Sequence, residues 1–173
     1  MHALARPLAR TRTLIVLAVA ALTAVALVLV SPFSQSAKAD GSAVTGTFSF
    51  TGSLIIGCPP GALLCTTGHL HGGIEAPFTL TLLSTAPTGD QGILFFTGRL
   101  VAKAPGGNLV CLLHGAENAK TGSDGEFGEI CEFNGGTGAY AKAKGNLRMI
   151  GTSTQNLLVP TGGGIYQGSL TTS

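Results

Sequence analysis

Glycine is the residue that most restricts the fold of this chain, because all 26 glycines lie after residue 40. A glycine inside a helix costs about 1 kcal/mol relative to alanine, so residues 41–173 are poorly suited to long helices. Glycine at this density is typical of chains with many tight turns and β-bulges. We therefore expect strands and turns throughout this region.

Apolar and polar residues alternate in several stretches between these glycines, which is the pattern of a strand with one buried face. The alternation is clear in residues 47–56 and returns in residues 66–83, a stretch that we expect Gly72-Gly73 or Pro77 to divide. Turn segments such as Pro105–Asn108 separate the stretches. We count seven or eight strands, and connections this short predict an all-β, mostly antiparallel barrel or sandwich.

The first 39 residues have the features of a signal peptide. Arginines precede an apolar run, Leu14–Val30, and the small residues Ala37 and Ala39 precede an expected cleavage before Asp40. The sequence thus predicts a signal peptide over residues 1–39 and a secreted, extracytoplasmic domain over residues 40–173. The apolar run is long for a signal peptide, so an uncleaved membrane anchor is the alternative.

Removal of this leader leaves six basic and eight acidic side chains, a net charge of −2. Bases so few and so scattered, without aromatic residues between them, argue against a nucleic-acid partner. The remaining length suffices for one domain with a single core.

Four cysteines in an exported chain predict two disulfide bonds. Of the three pairings we favour Cys58 with Cys65, which would close a short loop, and Cys111 with Cys131, which would join two neighbouring strands. The alternative is a zinc site that joins the first pair to two nearby histidines. The spacing of the first two cysteines is, however, longer than zinc cysteines usually have.

His69 and His71 lie two apart in a predicted strand, so both side chains leave the same face. That arrangement can hold a metal ion, but the apolar residues occupy the opposite face. We therefore expect His69, His71 and Glu75 to face solvent, and we expect no metal and no cofactor.

The other ionisable residues do not assemble a catalytic unit in the sequence. His114 ends an apolar strand, where a barrel rim is the favoured position and a cavity acid or base is the alternative. Arg99, in a strongly apolar strand, could bind an anionic ligand or lie on the exterior. Glu126, Glu129 and Glu132 could act as acid and base, although their spacing is typical of a solvated strand face.

Residues 133–147 contain the glycine spacing G-x-G-x-x-A of a dinucleotide-binding loop. Such a loop needs a helix after the glycines and an acidic residue about 20 positions further on, and no acidic residue follows Glu132. We interpret the segment as a corner between two strands. In it Tyr140 and Ala143 would form one turn packed on the barrel, before Gly145 opens the next strand.

This corner resembles a segment shared by plant dirigent proteins and allene oxide cyclases, G-G-T-G-x-aromatic-x-x-A-x-G. The matching residues, all carried over as structural, are Gly135, Gly136, Thr137, Gly138, Tyr140, Ala143 and Gly145. The resemblance implies a single eight-stranded antiparallel β-barrel with a largely apolar cavity, and a homo-oligomer, either a dimer or a trimer. The chain departs from the dirigent pattern at Lys144, where Arg is usual, and no segment matches the cavity acids of those families.

The resemblance also implies a barrel that binds or orients a small apolar or aromatic ligand. His114, Arg99 and Tyr140 are the candidate ligand-binding residues, and no residue is assigned to catalysis. A cofactor-free cyclase or isomerase is the alternative, and it requires an acid or a base inside the barrel. A non-enzymatic extracellular structural or surface protein, with side chains filling the barrel, is a further alternative.

Overall fold

The computed structural model describes residues 41–53, 58–89, 92–118, 124–154 and 159–173. The strands are β1 (Ser42–Ser53), β2 (Leu64–Gly72), β3 (Ala76–Pro87), β4 (Ile93–Ala104), β5 (Gly107–Asn118), β6 (Gly125–Gly136), β7 (Lys144–Ser153) and β8 (Thr161–Thr171). The expected signal peptide lies outside the described residues, and so does the end of the first predicted strand. In the described part of the chain, no helix has the length and apolar character needed to span a bilayer.

The eight strands form one closed antiparallel barrel. Each strand pairs with the next, and β8 pairs with β1 over a register that runs from Ser42 opposite Leu170 to Thr51 opposite Thr161. Every strand therefore has a hydrogen-bonded neighbour on both sides. The predicted eight-stranded antiparallel β-barrel is confirmed, and the sandwich is excluded.

Strand β6 illustrates how the sequence pattern produces the barrel. Its residues alternate between buried and exposed from Gly125 to Gly135. Phe127 and Phe133 belong to the buried set, whereas Glu126 is exposed. Because successive side chains of a strand point to opposite faces, closing the sheet places the buried set inside the barrel.

The stretch of residues 66–83 divides between β2 and β3, as the sequence predicts. The chain reverses at Gly72, which has a φ of +110°, a conformation that suits glycine. The amide of Gly73 then donates a hydrogen bond of 2.8 Å to the carbonyl oxygen of Thr45 in β1. The turn between β2 and β3 is therefore attached to a third strand.

One half of the barrel, near the start of β1, is filled with side chains. We call this part the closed half; its fully or nearly fully buried members are Val44, Leu70, Ile74, Ala76, Ala102, Leu109, Cys111, Leu113, Cys131, Phe133, Ala143, Leu147 and Tyr166. The hydroxyl of Tyr166 accepts a hydrogen bond of 2.9 Å from the amide of Ile74 and donates one of 3.1 Å to its carbonyl oxygen. The polar end of this buried tyrosine is therefore satisfied by backbone groups.

Two disulfide bonds are present, and both have the predicted pairing. Cys111 and Cys131 join β5 to β6 inside the closed half, where both are completely buried. Cys58 and Cys65 close a loop that leads into β2, and both are half-buried. No free cysteine is found in the described ranges.

The glycine-rich corner after β6 has the predicted form. A 3-10 turn, Gly138–Tyr140, follows the strand, and β7 begins at Lys144. Ala143 is almost fully buried, and Tyr140 packs against the core. The segment is therefore a corner between strands rather than the start of a dinucleotide-binding helix.

The corner also contacts the turn between β4 and β5. The side-chain oxygen of Thr137 accepts a hydrogen bond of 2.9 Å from the amide of Asn108. Gly138 has a φ of +58°, and a Cβ at this position would lie 2.1 Å from the carbonyl oxygen of Gly106. A larger residue is excluded there by both the backbone conformation and the close approach.

Candidate functional site

The other half of the barrel, near the end of β1, contains a cavity of about 240 Å³. We call this part the open half. Its apolar lining consists mainly of five phenylalanines and five leucines: Phe48, Phe50, Phe78, Phe96, Phe127, Leu64, Leu80, Leu82, Leu94 and Leu100. Its polar lining residues are Thr66, Thr85, Glu117, Glu129, Ser153 and Thr154.

All five phenylalanines lie opposite a glycine of a neighbouring strand, and four of them place the ring against that glycine. These four pairs are Phe50 with Gly162, Phe78 with Gly68, Phe96 with Gly115, and Phe127 with Gly151. A Cβ built on these glycines would lie 2.4 to 2.9 Å from an atom of the opposing ring. The rings therefore rest directly on glycine backbone, an arrangement that covers the glycine and leaves the centre of the lumen free.

Three of the aromatic rings also contact one another. Phe48 and Phe50 are stacked at a centroid distance of 6.4 Å, and Phe127 is tilted against both at 6.0 Å. These distances are in the range of favourable aromatic pairs. One side of the cavity is thus a continuous aromatic surface.

A β-bulge changes the face that β3 presents to the cavity. The pairing of β3 with β4 shifts register between Leu82 and Ser84, where Leu83 is the additional residue. Leu80 and Leu82 line the cavity before the bulge, and Thr85 does so after it. The bulge therefore introduces a hydroxyl near the end of a strand whose inward residues are otherwise apolar.

Glu117 and Ser153 provide a hydrogen-bonded polar pair in the cavity wall. The hydroxyl of Ser153, on β7, donates a short hydrogen bond to Oε1 of Glu117, on β5. Ser153 is buried and Glu117 is half-buried. This contact bridges two strands that flank β6.

Glu129 is the acidic residue held most deeply in this wall, with an exposed fraction of 8%. It lies on β6 opposite Gly115, two residues from Glu117 along β5. Burial raises the pKa of Glu129 to about 8, and the nearby charge of Glu117 contributes to the same shift. Glu129 is therefore mostly a neutral carboxylic acid at pH 7, and its O–H can donate a hydrogen bond into the cavity.

Thr66 places a second polar group on the far side of the lumen. It lies on β2, four strands from β6 in the ring of eight. It is 3% exposed, and its hydroxyl oxygen has no hydrogen-bond partner among the described residues. An apolar space thus separates two polar walls, one with Thr66 and the other with Glu129.

None of the three ligand-binding residues predicted from the sequence is among the residues that line this cavity. His114 is exposed on the outer face of β5, and Arg99 is exposed on the outer face of β4. Tyr140 packs against the end of the core. Their ligand-binding roles stay predictions, and the cavity is formed by other residues.

The sequence contains a signal for the burial of Glu129 that the spacing of the three glutamates alone does not reveal. Glu126, Glu129 and Glu132 were expected on a solvated face, but Glu129 shares the alternation of Phe127 and Cys131. The structure buries Glu129 with that apolar set, while Glu126 and Glu132 are exposed as expected. An acidic residue in the apolar register of a strand was therefore the informative feature.

No family model, curated protein or solved structure matches this chain. The geometry of the barrel is therefore the basis for assigning a function. An apolar cavity with a neutral acid in its wall can bind a small molecule through its rings and orient it through one hydrogen bond.

Proposed function

We propose that this protein binds a small, largely apolar ring compound in the open half of its barrel, with a hydrogen bond from Glu129 to an oxygen of the ligand. The observation that carries the proposal is the cavity lined by five phenylalanines, in which a buried carboxyl group faces apolar space. Burying a carboxyl group is costly unless it gains a partner. A ligand oxygen would be such a partner.

The size of the cavity limits the class of ligand. An engineered protein cavity of about 150 Å³ binds benzene, whereas pockets for drug-sized ligands begin at about 300 Å³. A volume of about 240 Å³ falls between these values. We therefore expect a compound of one or two rings, with an oxygen such as a carbonyl or a phenol.

A second candidate function is cofactor-free isomerisation or cyclisation, and the raised pKa of Glu129 favours it. A carboxyl group with a pKa of about 8 can donate and recover protons near neutral pH. Glu129 would donate a proton to a substrate oxygen, Glu117 would accept a proton from carbon, and exchange with solvent water would then restore both groups. The substrate would thus change its bonding without a net gain of protons and without an oxidant.

The binding proposal is tested by titrating the protein with a panel of neutral one-ring and two-ring compounds that carry a carbonyl or a phenol. We expect Glu129→Gln to weaken the binding of carbonyl compounds by about tenfold, because an amide donates a weaker hydrogen bond than a carboxylic acid. Glu126→Gln, an exposed position on the same strand, is the matched control and should bind as the parent does. Equal affinity of the two variants for every bound compound would contradict the role of Glu129.

The same panel distinguishes binding from catalysis. Product analysis after incubation detects an isomer if Glu129 transfers protons, and its formation should disappear in Glu129→Gln. Unchanged compounds recovered from saturated protein would support a binding protein. Failure of all compounds to bind would contradict both functions.

We further propose that the protein is exported and belongs to the dirigent and allene oxide cyclase type of barrel, assembled as a homo-oligomer. Two disulfide bonds are compatible with an extracellular location. Ile150 and Ile165 are paired across β7 and β8, and about 60% of each is exposed. Light scattering of the parent and of Ile165→Asp tests the assembly, because a charge at a subunit interface should release monomers.

A further inference from the structure

We propose that His69, His71 and Glu75 form a binding site for a divalent transition-metal ion, with Zn²⁺ as the best-matched ion, on the outer wall of the barrel. This site is independent of the ligand proposed for the lumen. The two histidines lie on the outward face of β2, and Glu75 lies in the turn that leads to β3. The ligand atoms of the three residues all lie within 4.8 Å of one another.

The distances between these ligand atoms fit a small tetrahedral ion. Zinc bonds of about 2.0–2.1 Å place neighbouring ligand atoms of a tetrahedron roughly 3.3–3.4 Å apart. Oε1 of Glu75 lies 3.0 Å from Nδ1 of His71 and 3.4 Å from Nδ1 of His69. Both oxygen-to-nitrogen distances are therefore within a few tenths of an ångström of this spacing, and rotation of the two stacked imidazole rings would direct both nitrogens at one ion.

The surroundings of the His69 ring independently indicate a metal site. Its Nδ1 atom is buried and makes no hydrogen bond with a residue in the described ranges, although it lies 3.4 Å from the Glu75 carboxylate. The ring of His69 is stacked on that of His71 with a centroid distance of 4.3 Å. A buried nitrogen that faces a carboxylate without a hydrogen bond would gain a partner from a metal ion.

The turn holds Glu75 in place over the two histidines. Its Oε2 atom accepts a hydrogen bond of 3.3 Å from the amide of Gly72, which leaves Oε1 directed at the imidazoles. The adjacent Ile74 is fixed by two hydrogen bonds to Tyr166. Such secondary contacts orient metal ligands and reduce the reorganisation needed for binding.

The ligand set selects the class of ion. Two imidazole nitrogens and one carboxylate oxygen suit Zn²⁺ and Cu²⁺, whereas Mg²⁺ and Ca²⁺ prefer sites made of oxygen atoms. His71 and Glu75 are exposed, so solvent water can occupy a fourth position. The geometry therefore supports binding with an open coordination position.

The test is a calorimetric titration of the tag-free protein with ZnCl₂. We expect one zinc ion per chain, and we expect His69→Ala, His71→Ala and Glu75→Gln each to weaken binding by about 100-fold or more, because each removes a direct ligand and even the loss of an outer contact costs about 10–100-fold. His114→Ala is the matched control, since His114 is an exposed histidine elsewhere on the outer wall. It should leave the affinity unchanged, and excess Mg²⁺ should not compete.

A spectroscopic measurement separates loss of the site from loss of the fold. Co²⁺ added in place of Zn²⁺ should give the visible absorption of a tetrahedral or five-coordinate nitrogen and oxygen site. The absorption should be absent in the three site variants and present in His114→Ala, while circular dichroism shows that all four variants are folded. No stoichiometric zinc binding, or equal binding by the site variants and the His114 variant, would overturn the proposal.

Discussion

The two halves of the barrel are built by the same eight strands but place several of their buried polar groups in different surroundings. In the closed half, the Tyr166 hydroxyl is satisfied by the amide and the carbonyl of Ile74. In the open half, Glu129 and the Thr66 hydroxyl face a cavity of about 240 Å³. The Tyr166 hydroxyl is thus enclosed by backbone partners, whereas Glu129 and Thr66 border open space.

The closed half and the open half also differ in how their large side chains pack. Leucines such as Leu109 and Leu147 are about 1% exposed and fill the lumen of the closed half. In the open half, rings such as Phe50 lie back against glycine and leave space at the centre. An eight-stranded barrel has just enough interior to be filled by side chains, so the placement of a few rings decides whether a cavity remains.

The largest expected effect concerns the buried acid of the open half. The pKa of Glu129 in the folded protein is about 8, above its ordinary value of 4.5, so the folded state binds the proton more tightly than the unfolded state does. The resulting stability is fully present below pH 4.5 and is lost as the pH rises through 8. At about 1.4 kcal/mol per pH unit, the free energy of unfolding should fall by on the order of 5 kcal/mol over this window.

Urea unfolding of the parent and of Glu129→Gln across this pH window measures the effect. The glutamine variant should lack the decline and should be more stable than the parent at pH 8 and above. Glu126→Gln, whose side chain lies on the outer face, should retain the decline of the parent. A decline of the same size in Glu129→Gln would show that the acid is not responsible for it.

A matched pair of leucine substitutions compares the packing of the two halves. Leu113→Ala removes a side chain that is completely buried in the closed half, and it should lower the free energy of unfolding by about 3 kcal/mol because a void remains. Leu82→Ala removes a half-buried side chain that already borders the cavity, and it should cost about 1 kcal/mol. Equal losses in denaturant unfolding would mean that the open half is packed as tightly as the closed half.

Removal of the tyrosine hydroxyl tests the satisfied polar group of the closed half. Tyr166→Phe leaves the amide and the carbonyl of Ile74 without their partner, and we expect a loss of about 1–3 kcal/mol in the free energy of unfolding. Thermal unfolding at constant pH measures this loss. Tyr140→Phe, at the partly exposed corner, is the control, and an equal effect of the two variants would contradict the role of the Tyr166 hydroxyl.

The smallest expected effect is electrostatic coupling within the open half. Glu117→Gln removes the charge that contributes to the raised pKa of Glu129, so that pKa should fall but stay well above 4.5 because burial is the larger cause. Nuclear magnetic resonance of ¹³C-labelled glutamate carboxyl groups measures it. A return to 4.5 in this variant would show that burial is not the main cause.

The barrel could be predicted from local patterns, because apolar and polar residues alternate along a strand that has one buried face. The alternation in residues 47–52 and in β6 corresponds to the observed faces. The corner at Gly138 was also predictable, since a short helical turn followed by a strand does not fit a nucleotide loop. The pairing of Cys111 with Cys131 followed from their places on neighbouring strands.

The cavity was harder to predict because it depends on contacts between strands. The pairing of Phe96 with Gly115, or of Phe127 with Gly151, requires the register of two strands, which a single sequence does not provide. The bulge at Leu83 moves Thr85 into the lumen against the preceding alternation. The outward positions of His114 and Arg99 likewise depend on how each strand is oriented about the barrel axis.

The ligand site is tested most directly by a native mass spectrum of the protein recovered from its own host, compared with two tryptophan variants produced in the same way. Leu80→Trp should fill the cavity, whereas Leu112→Trp places the same side chain on the exposed outer wall. We expect one small adduct on the parent and on Leu112→Trp, and we expect its loss from Leu80→Trp. A parent protein without an adduct, or an adduct that persists in Leu80→Trp, would contradict a ligand site in the open half.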